Sequence, residues 1–128
     1  MTPEVARAID DIRTAFPGHR LEVQDEAQGG AYVVVHDLPI GEQYAPATSW
    51  CGFVITFQYP RADVYPHFLD PNLRRVDGKP LGESFSGQPV DWNGRQAYQV
   101  SRRSNRWSAA TDTAATKLAK VLEWVRSR

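Results

Sequence analysis

Apolar residues recur with a helical period near the start of the chain. The stripe consists of Val5, Ile9, Ile12 and Phe16. Spacings of 4, 3 and 4 residues place these side chains on one face, which predicts a helix over residues 3–16. Thr2 suits the N-cap, Pro3 suits the first helical position, and Pro17-Gly18 would end the helix.

A second helical pattern covers residues 112–126. Its apolar stripe consists of Ala114, Leu118, Val121, Leu122 and Val125. Lys117, Lys120 and Glu123 fall off this stripe, so we expect them on the solvent side. The chain should therefore end in an amphipathic helix.

Between the helices the pattern changes to that of β-strands. Residues 20–25 alternate, with Leu21 and Val23 on one side, and residues 31–36 form a β-branched run. The Gly29-Gly30 pair between them predicts a hairpin. Leu38-Pro39-Ile40-Gly41 should end the second strand, and residues 41–48 look like a loop.

Residues 50–58 give the clearest strand pattern. Phe53, Ile55 and Phe57 would lie on one face, with Val54 and Thr56 opposite. Both faces are mostly apolar, which is typical of a central strand that is covered on each side. Residues 96–101 predict a short fourth strand.

Residues 59–94, called the flap below, are rich in Pro, Gly, Asp and Ser and have no helical period. Tyr59-Pro60, Tyr65-Pro66 and Pro71-Asn72 leave no room for a helix or a paired central strand, because proline fixes φ and lacks an N–H. We expect a stiff, extended and ordered surface. The predicted fold is α+β: a single domain, 1–128, with an N-terminal helix, an antiparallel meander of three to four strands, the long flap and a C-terminal helix.

Composition narrows the class of protein. The chain has 128 residues, a formal net charge of zero, one cysteine and three histidines. Zero net charge gives no overall field toward nucleic acid or membrane, and the widely spaced histidines form no metal-ligand pair. No signal peptide or long apolar run is present. These features predict a cytoplasmic protein without metal or cofactor.

Short motifs follow one another in a recognisable order. They are Leu38-Pro39, Tyr59-Pro60, Pro71-Asn72-Leu73, Asp77-Gly78-Lys79-Pro80, Gly94-Arg95, Ser101-Arg102, Trp107 and Asp112. In this order they resemble the ubiquitin-conjugating enzyme superfamily, in particular the "family E" group of bacterial ubiquitin-conjugating-like proteins. The resemblance implies the ubiquitin-conjugating-enzyme-like fold. It also implies two protein partners: a ubiquitin-like protein and its activating enzyme.

This chain lacks the flap cysteine that carries ubiquitin in the thioester enzymes. If Asn93-Gly94 is aligned with the Asn-Gly of those enzymes, the cysteine position falls at residues 97–99. If Gly78 is aligned instead, the position falls near Pro80, and neither alignment places a thiol there. The single cysteine, Cys51, lies in the predicted third strand, where we expect it to pack as a small hydrophobic residue.

A serine is the alternative acyl acceptor. Ser101 is the first candidate and Ser104 the second, because they lie among arginines where the flap would approach the last helix. Arg102 could stabilise negative charge but not remove a proton. The base must then come from His67, Asp70, Asp91 or Asp112, and Asp112 or His67 is preferred for orienting the serine.

Two functions remain open at this stage. The first is a transferase that accepts the C-terminal acyl group of a ubiquitin-like protein from an activating enzyme, as a serine oxyester. The second is a catalytically inactive variant that binds the ubiquitin-like protein or the activating enzyme as an adaptor. Arg95, Arg102, Arg103 and Arg106 could meet phosphates, an acidic protein surface or only solvent, and nucleic acid is the least favoured of these partners.

Overall fold

The computed structural model describes all 128 residues and has an α+β architecture. The two helices are α1 (Pro3–Ala15) and α2 (Ala114–Arg126). The strands are β1 (Leu21–Asp25), β2 (Ala31–Pro39), β3 (Tyr44–Ala45), β4 (Thr48–Ile55), β5 (His67–Leu69), β6 (Arg74–Arg75), β7 (Val90–Trp92) and β8 (Arg95–Val100). Neither helix has the length and apolar character needed to cross a membrane.

Six strands form one antiparallel sheet in the order β1-β2-β4-β5-β8-β7, and β3 pairs with β6 in a separate two-stranded sheet. The predicted fold class is therefore confirmed, with terminal helices flanking an antiparallel sheet. The predicted count of three to four strands is too low, because β3, β5, β6 and β7 are only two or three residues long. Strands this short carry little alternation to detect.

Helix α1 begins at Pro3, as its capping residues predict, whereas α2 begins at Ala114, two residues after the predicted start. Thr2 accepts a hydrogen bond from the Val5 amide at 3.1 Å, and Thr113 and Thr116 form a reciprocal capping box at the start of α2. The predicted apolar stripes are buried, apart from the partly exposed Phe16. The helices share one core with the inward-facing residues of β2 and β4, so they lie against the same face of the sheet.

The opposite face of the sheet carries a smaller aromatic cluster. Val34, Phe68, Trp92 and Ala97 are buried there, and the Phe68 and Trp92 rings stack with centroids 4.9 Å apart. Trp92 lies directly over Gly52, where no side chain stands between the ring and the backbone of β4. β4 is thus covered on both faces, as its apolar pattern predicts.

The bounds of β2 and β4 differ most from the prediction. β2 continues through Leu38 to Pro39, because a bulge after Val35, with Asp37 at φ 58°, restores pairing with β4. Strand β4 ends at Ile55, so Phe57 lies in the following turn and is 44% exposed rather than facing the core with Phe53 and Ile55.

The flap is ordered, but the prediction that its prolines exclude a paired central strand is wrong. β5 lies within it and pairs with β4 on one side and β8 on the other. Pro66 directly precedes the strand and therefore removes no hydrogen bond from the ladder. Farther along, Asn93 and Gly94 both have positive φ and form the tight turn of the β7–β8 hairpin.

Candidate functional site

Ser101 directly follows β8 and is exposed to solvent. Its amide donates to the Ser84 carbonyl at 2.7 Å, which fixes the backbone where β8 ends. Its hydroxyl oxygen accepts a hydrogen bond from Gln99 Nε2 at 3.2 Å. Ser101 is therefore a positioned and accessible hydroxyl group.

Tyr65 is the titratable residue that the fold brings to Ser101. His67 of β5 pairs with Val100 of β8, so the residue two positions before His67 lies beside the end of β8. A polar interaction with the Ser101 side chain lowers the pKa of the Tyr65 hydroxyl, and Arg103 acts in the same direction. The Arg103 guanidinium carbon lies 4.3 Å from the centroid of the Tyr65 ring.

Ser104 lies in a different environment, next to a buried ion pair. Lys117 Nζ donates to Ser104 Oγ at 2.8 Å and lies 2.9 Å from Asp63 Oδ2, and the Asp63 carboxylate also accepts from the Ser104 amide at 2.8 Å. Burial alone raises the pKa of Asp63, but the hydrogen bonds from Ser104 and Lys117 outweigh it and lower that pKa. Lys117 is only 4% exposed, so the prediction that it lies on the solvent side of α2 is wrong.

The preferred orienting residues do not contact either serine. His67 is fully buried against Phe53, neither ring nitrogen has a hydrogen-bond partner, and burial lowers the pKa of His67 to about 3. His67 is therefore not a surface imidazole. Asp112 accepts a hydrogen bond from the Ser108 amide at 2.7 Å and lies 3.7 Å from Lys120 Nζ. Asp112 thus stabilises the turn that precedes α2.

The two other aspartates considered as bases are also engaged elsewhere. Asp70 accepts a hydrogen bond from the Asn72 amide at 2.8 Å, and Asp91 interacts with Gln96 on the β7–β8 hairpin. Asp70 thus stabilises a local turn, and Asp91 forms a cross-strand pair in the β7–β8 hairpin. Tyr65 and Asp63 are the titratable groups that the structure brings to the serines instead.

Cys51 is buried in β4, as expected. Burial raises the pKa of its thiol to about 12, so the thiolate that would accept an acyl group does not form near neutral pH. The sole thiol of the chain is a packing residue.

The four arginines that are close in sequence separate into two places. Arg95, at the start of β8 in the β7–β8 hairpin, lies 5.2 Å from the centroid of the Trp50 ring and forms an ion pair with Glu22. Arg102, Arg103 and Arg106 remain together beside α2. They help to line a cavity of about 520 Å³.

We call this cavity the cationic groove. It is lined by Arg102, Arg103, Ser104, Asn105, Arg106, Lys117, Lys120, Val121 and Trp124. Five of these nine residues carry a positive charge and none carries a carboxylate. A second hollow of about 350 Å³ lies on the Tyr65 side of the same segment, so Arg103 and Ser104 form a ridge between the two.

The segment that carries both serines is fixed at its far end as well. Trp107 Nε1 donates to the Pro60 carbonyl at 2.7 Å, and the Trp107 ring lies against Tyr59, whose hydroxyl accepts from the Ala114 amide at 3.1 Å. The first Tyr-Pro pair of the flap thereby holds both the serine–arginine segment and the start of α2. The flap, the serine–arginine segment and the start of α2 thus form one rigid platform.

Sequence reasoning missed Tyr65, Asp63 and Lys117 as site residues. The sequence indicates Tyr65 only as part of a stiff segment, and it predicts Lys117 on the solvent side of α2. The available signal was the spacing of Lys117 to Leu118 and Val121, which places the lysine at the border of the apolar stripe. Nothing in the sequence pairs Asp63 with it, because 54 residues separate the two.

A comparison with protein-family models identifies one family, described as Prokaryotic E2 family E, over residues 15–128. Searches of curated proteins and of solved structures gave no significant match. The matched region includes the whole sheet, the flap, the serine–arginine segment and α2. The chain therefore belongs to the Prokaryotic E2 family E, and it is a ubiquitin-conjugating-enzyme-like protein of a ubiquitin-like conjugation system.

Proposed function

We propose that this protein accepts the C-terminal acyl group of a ubiquitin-like protein from an activating enzyme, as an oxyester on Ser101. The observation that carries the proposal is the exposed Ser101 hydroxyl at the end of β8, where the β5–β8 register brings Tyr65 alongside it. Interactions with the Ser101 side chain and with Arg103 lower the pKa of the Tyr65 phenol. Tyrosine can act as a general base, and a lowered pKa increases the phenolate fraction at a given pH.

The transfer balances as an ordinary acyl exchange. Ser101 Oγ attacks the carbonyl carbon of the thioester on the activating enzyme, and a C–O bond forms while the C–S bond breaks. The Ser101 proton passes to the deprotonated form of Tyr65 and from there to the leaving thiolate, so the base is regenerated. Arg103, which lies over Tyr65, is the candidate to stabilise the negative charge that develops on the carbonyl oxygen.

Ser101 is favoured over Ser104 by their hydrogen bonds. Ser104 Oγ accepts from the Lys117 ammonium, and the ion pair with Asp63 keeps that ammonium charged. An ammonium that donates a hydrogen bond to a hydroxyl oxygen draws electron density from that oxygen and makes it a weaker nucleophile. Ser101 has only the neutral Gln99 amide as donor. In this proposal Asp112 orders the start of α2 and Arg102 belongs to the cationic groove.

The direct test mixes the chain with the activating enzyme, ATP and the ubiquitin-like protein of its own genome, and follows intact mass. We expect a covalent adduct that survives a thiol reductant, breaks in hydroxylamine and is absent in Ser101→Ala. Ser104→Ala is the matched control and should retain the adduct. The proposal fails if no condition gives an adduct, or if the Ser101→Ala adduct equals that of the unsubstituted chain.

A gain-of-function variant sharpens this test. Ser101→Cys, combined with Cys51→Ala, should convert the oxyester into a thioester that a thiol reductant cleaves. The combination leaves one thiol at the exposed position. An adduct that remains resistant to the reductant would mean that acyl transfer occurs elsewhere on the chain.

A second candidate function is a non-covalent adaptor for the ubiquitin-like protein or its activating enzyme. The burial of Cys51, whose pKa rises to about 12, favours it because a thioester carrier role is closed to that thiol. In this case binding should be transient, in the micromolar range or weaker, and insensitive to Ser101→Ala. Binding without any covalent adduct would favour the adaptor over the acyl carrier.

A further inference from the structure

Carboxylates of the same chain neutralise only some of the positive charges that line the cationic groove. Lys117 is neutralised by Asp63 at 2.9 Å, and Lys120, which is 71% exposed, lies 3.7 Å from Asp112. Arg102, Arg103 and Arg106 form no ion pair with any carboxylate of the chain. These three exposed guanidinium groups therefore remain available to an external anion.

One of these guanidinium groups is held in place by stacking. The Arg102 guanidinium carbon lies 4.7 Å from the centroid of the Trp124 ring, and Arg128 lies 5.1 Å from the same ring. Stacking occupies the face of a guanidinium group but leaves its N–H edge free to donate. Arg102 is therefore oriented before any ligand arrives, which reduces the entropy that binding must overcome.

The groove is lined along about two turns of α2, and this length decides between kinds of anion. Its helical wall consists of Lys117, Lys120, Val121 and Trp124, which share one face of α2. From Lys117 to Trp124 the helix rises about 10 Å, at ~1.5 Å per residue. An extended peptide of about three residues has the same length, at ~3.3 Å per residue. A single phosphate group would fill only a small part of this space.

We propose that the cationic groove binds an extended acidic segment of a partner protein, about three residues long. Its carboxylates would accept hydrogen bonds from Arg102, Arg106 and Lys120, and the partly exposed Trp124 ring offers an apolar surface to the remainder of the segment. This binding site goes beyond acyl transfer. It lies on the α2 side of the Arg103–Ser104 ridge, whereas Tyr65 lies on the other side.

The test measures binding of a fluorescein-labelled peptide, Gly-Glu-Glu-Glu-Gly, to the full chain by fluorescence anisotropy. We expect Arg102→Glu combined with Arg106→Glu to weaken binding about tenfold or more, because both carboxylate partners are replaced by like charges. Both positions are exposed, so the fold should be retained.

The matched control combines Arg7→Glu and Arg13→Glu on the exposed side of α1, which changes the net charge by the same amount. This control should bind the peptide within about twofold of the unsubstituted chain at moderate salt, since distant surface charges are screened. The uncharged peptide Gly-Gln-Gln-Gln-Gly should not compete for the site.

Three outcomes would overturn the proposal. The first is equal weakening in the two double variants, which would indicate a response to net charge alone. The second is equal binding of the glutamine peptide. The third is tighter binding of adenosine monophosphate than of the glutamate peptide, which would identify a phosphate site instead.

Discussion

The ammonium nitrogen of Lys117 lies 2.9 Å from the Asp63 carboxylate, and the same ammonium lies 2.8 Å from the Ser104 hydroxyl oxygen. Asp63 belongs to the flap, Ser104 to the segment after β8, and Lys117 to α2. A single buried cation thus joins three parts of the chain that are distant in sequence. The segment that carries the candidate serines depends on this contact for its position.

Removing Asp63 should destabilise the protein more than removing Lys117. Asp63→Ala leaves a buried ammonium without its counter-ion, which costs about 3 kcal/mol. In Lys117→Met the partly exposed Asp63 carboxylate keeps its hydrogen bond from the Ser104 amide, so the loss should be smaller. Urea unfolding measures both.

The double variant Asp63→Ala/Lys117→Met is the control for this prediction. It removes both charges, so it should be more stable than Asp63→Ala alone. If the two single variants and the double variant all unfold at the same urea concentration as the unsubstituted chain, the ion pair does not hold the segment.

His67 should make stability depend on pH in a mildly acidic window. Its pKa falls from 6.5 to about 3 in the folded chain, so the unfolded chain takes up the proton first as pH decreases. The free energy of unfolding is therefore unaffected by His67 above pH 6.5 and decreases progressively as pH falls from 6.5 toward 3. The slope should approach about 1.4 kcal/mol per pH unit.

The corresponding control is His67→Leu, which keeps an apolar side chain against Phe53 and removes two unpartnered nitrogen atoms. Its free energy of unfolding should vary less between pH 6.5 and 5 than that of the unsubstituted chain. Equal slopes in that range would contradict a buried neutral imidazole.

Gly52→Ala should disrupt the aromatic cluster on the face of the sheet opposite the helices. A Cβ at this position would overlap the Trp92 ring, which is itself held between Phe68 and Trp50. Overpacking of this kind costs about 1–3 kcal/mol. The measurement is thermal unfolding, together with the near-ultraviolet circular dichroism of the tryptophans.

Gly87→Ala provides the comparison for Gly52. Its Cβ would meet open space, and its φ lies outside the left-handed region, so the change should be neutral or stabilising by up to about 1 kcal/mol. Similar destabilisation at the two positions would mean that Trp92 does not pack on Gly52.

Much of the fold could be predicted from the sequence because its long elements repeat a pattern. α1, α2, β1, β2 and the central position of β4 follow from apolar periodicity and capping residues. The short strands could not be predicted, since β5 is three residues long and owes its existence to pairing with β4 and β8. Long-range pairing of this kind leaves no local signal.

The sequence shows the serine–arginine segment but not the groups that surround it. Ser101, Ser104 and three arginines stand out because they fall within residues 101–106. The groups that contact them, Tyr65, Asp63 and Lys117, come from the flap and α2. Their proximity arises from the β5–β8 register and from the packing of α2, which depend on the whole fold.

Tyr65→Phe should slow adduct formation without changing the fold. It removes the hydroxyl that faces Ser101 and keeps the ring under Arg103. Loss of a general base typically reduces a rate by about 100-fold or more. Single-turnover kinetics at several pH values measure the effect, and the rate should rise with pH only when Tyr65 is present.

Tyr32→Phe is the matched control, because Tyr32 belongs to the aromatic cluster on the other face of the sheet. It should react at the rate of the unsubstituted chain. A Tyr65→Phe rate equal to that of Tyr32→Phe would remove Tyr65 from the proposed chemistry.

The most direct measurement is the mapping of the adduct by trypsin digestion and mass spectrometry. Cleavage after Arg95, Arg102, Arg103 and Arg106 separates the two serines, since Ser101 falls in peptide 96–102 and Ser104 in peptide 104–106. The account predicts that the acyl remnant of the ubiquitin-like protein is attached to Ser101 in the first peptide. A remnant on Ser104, or on neither peptide, would contradict it.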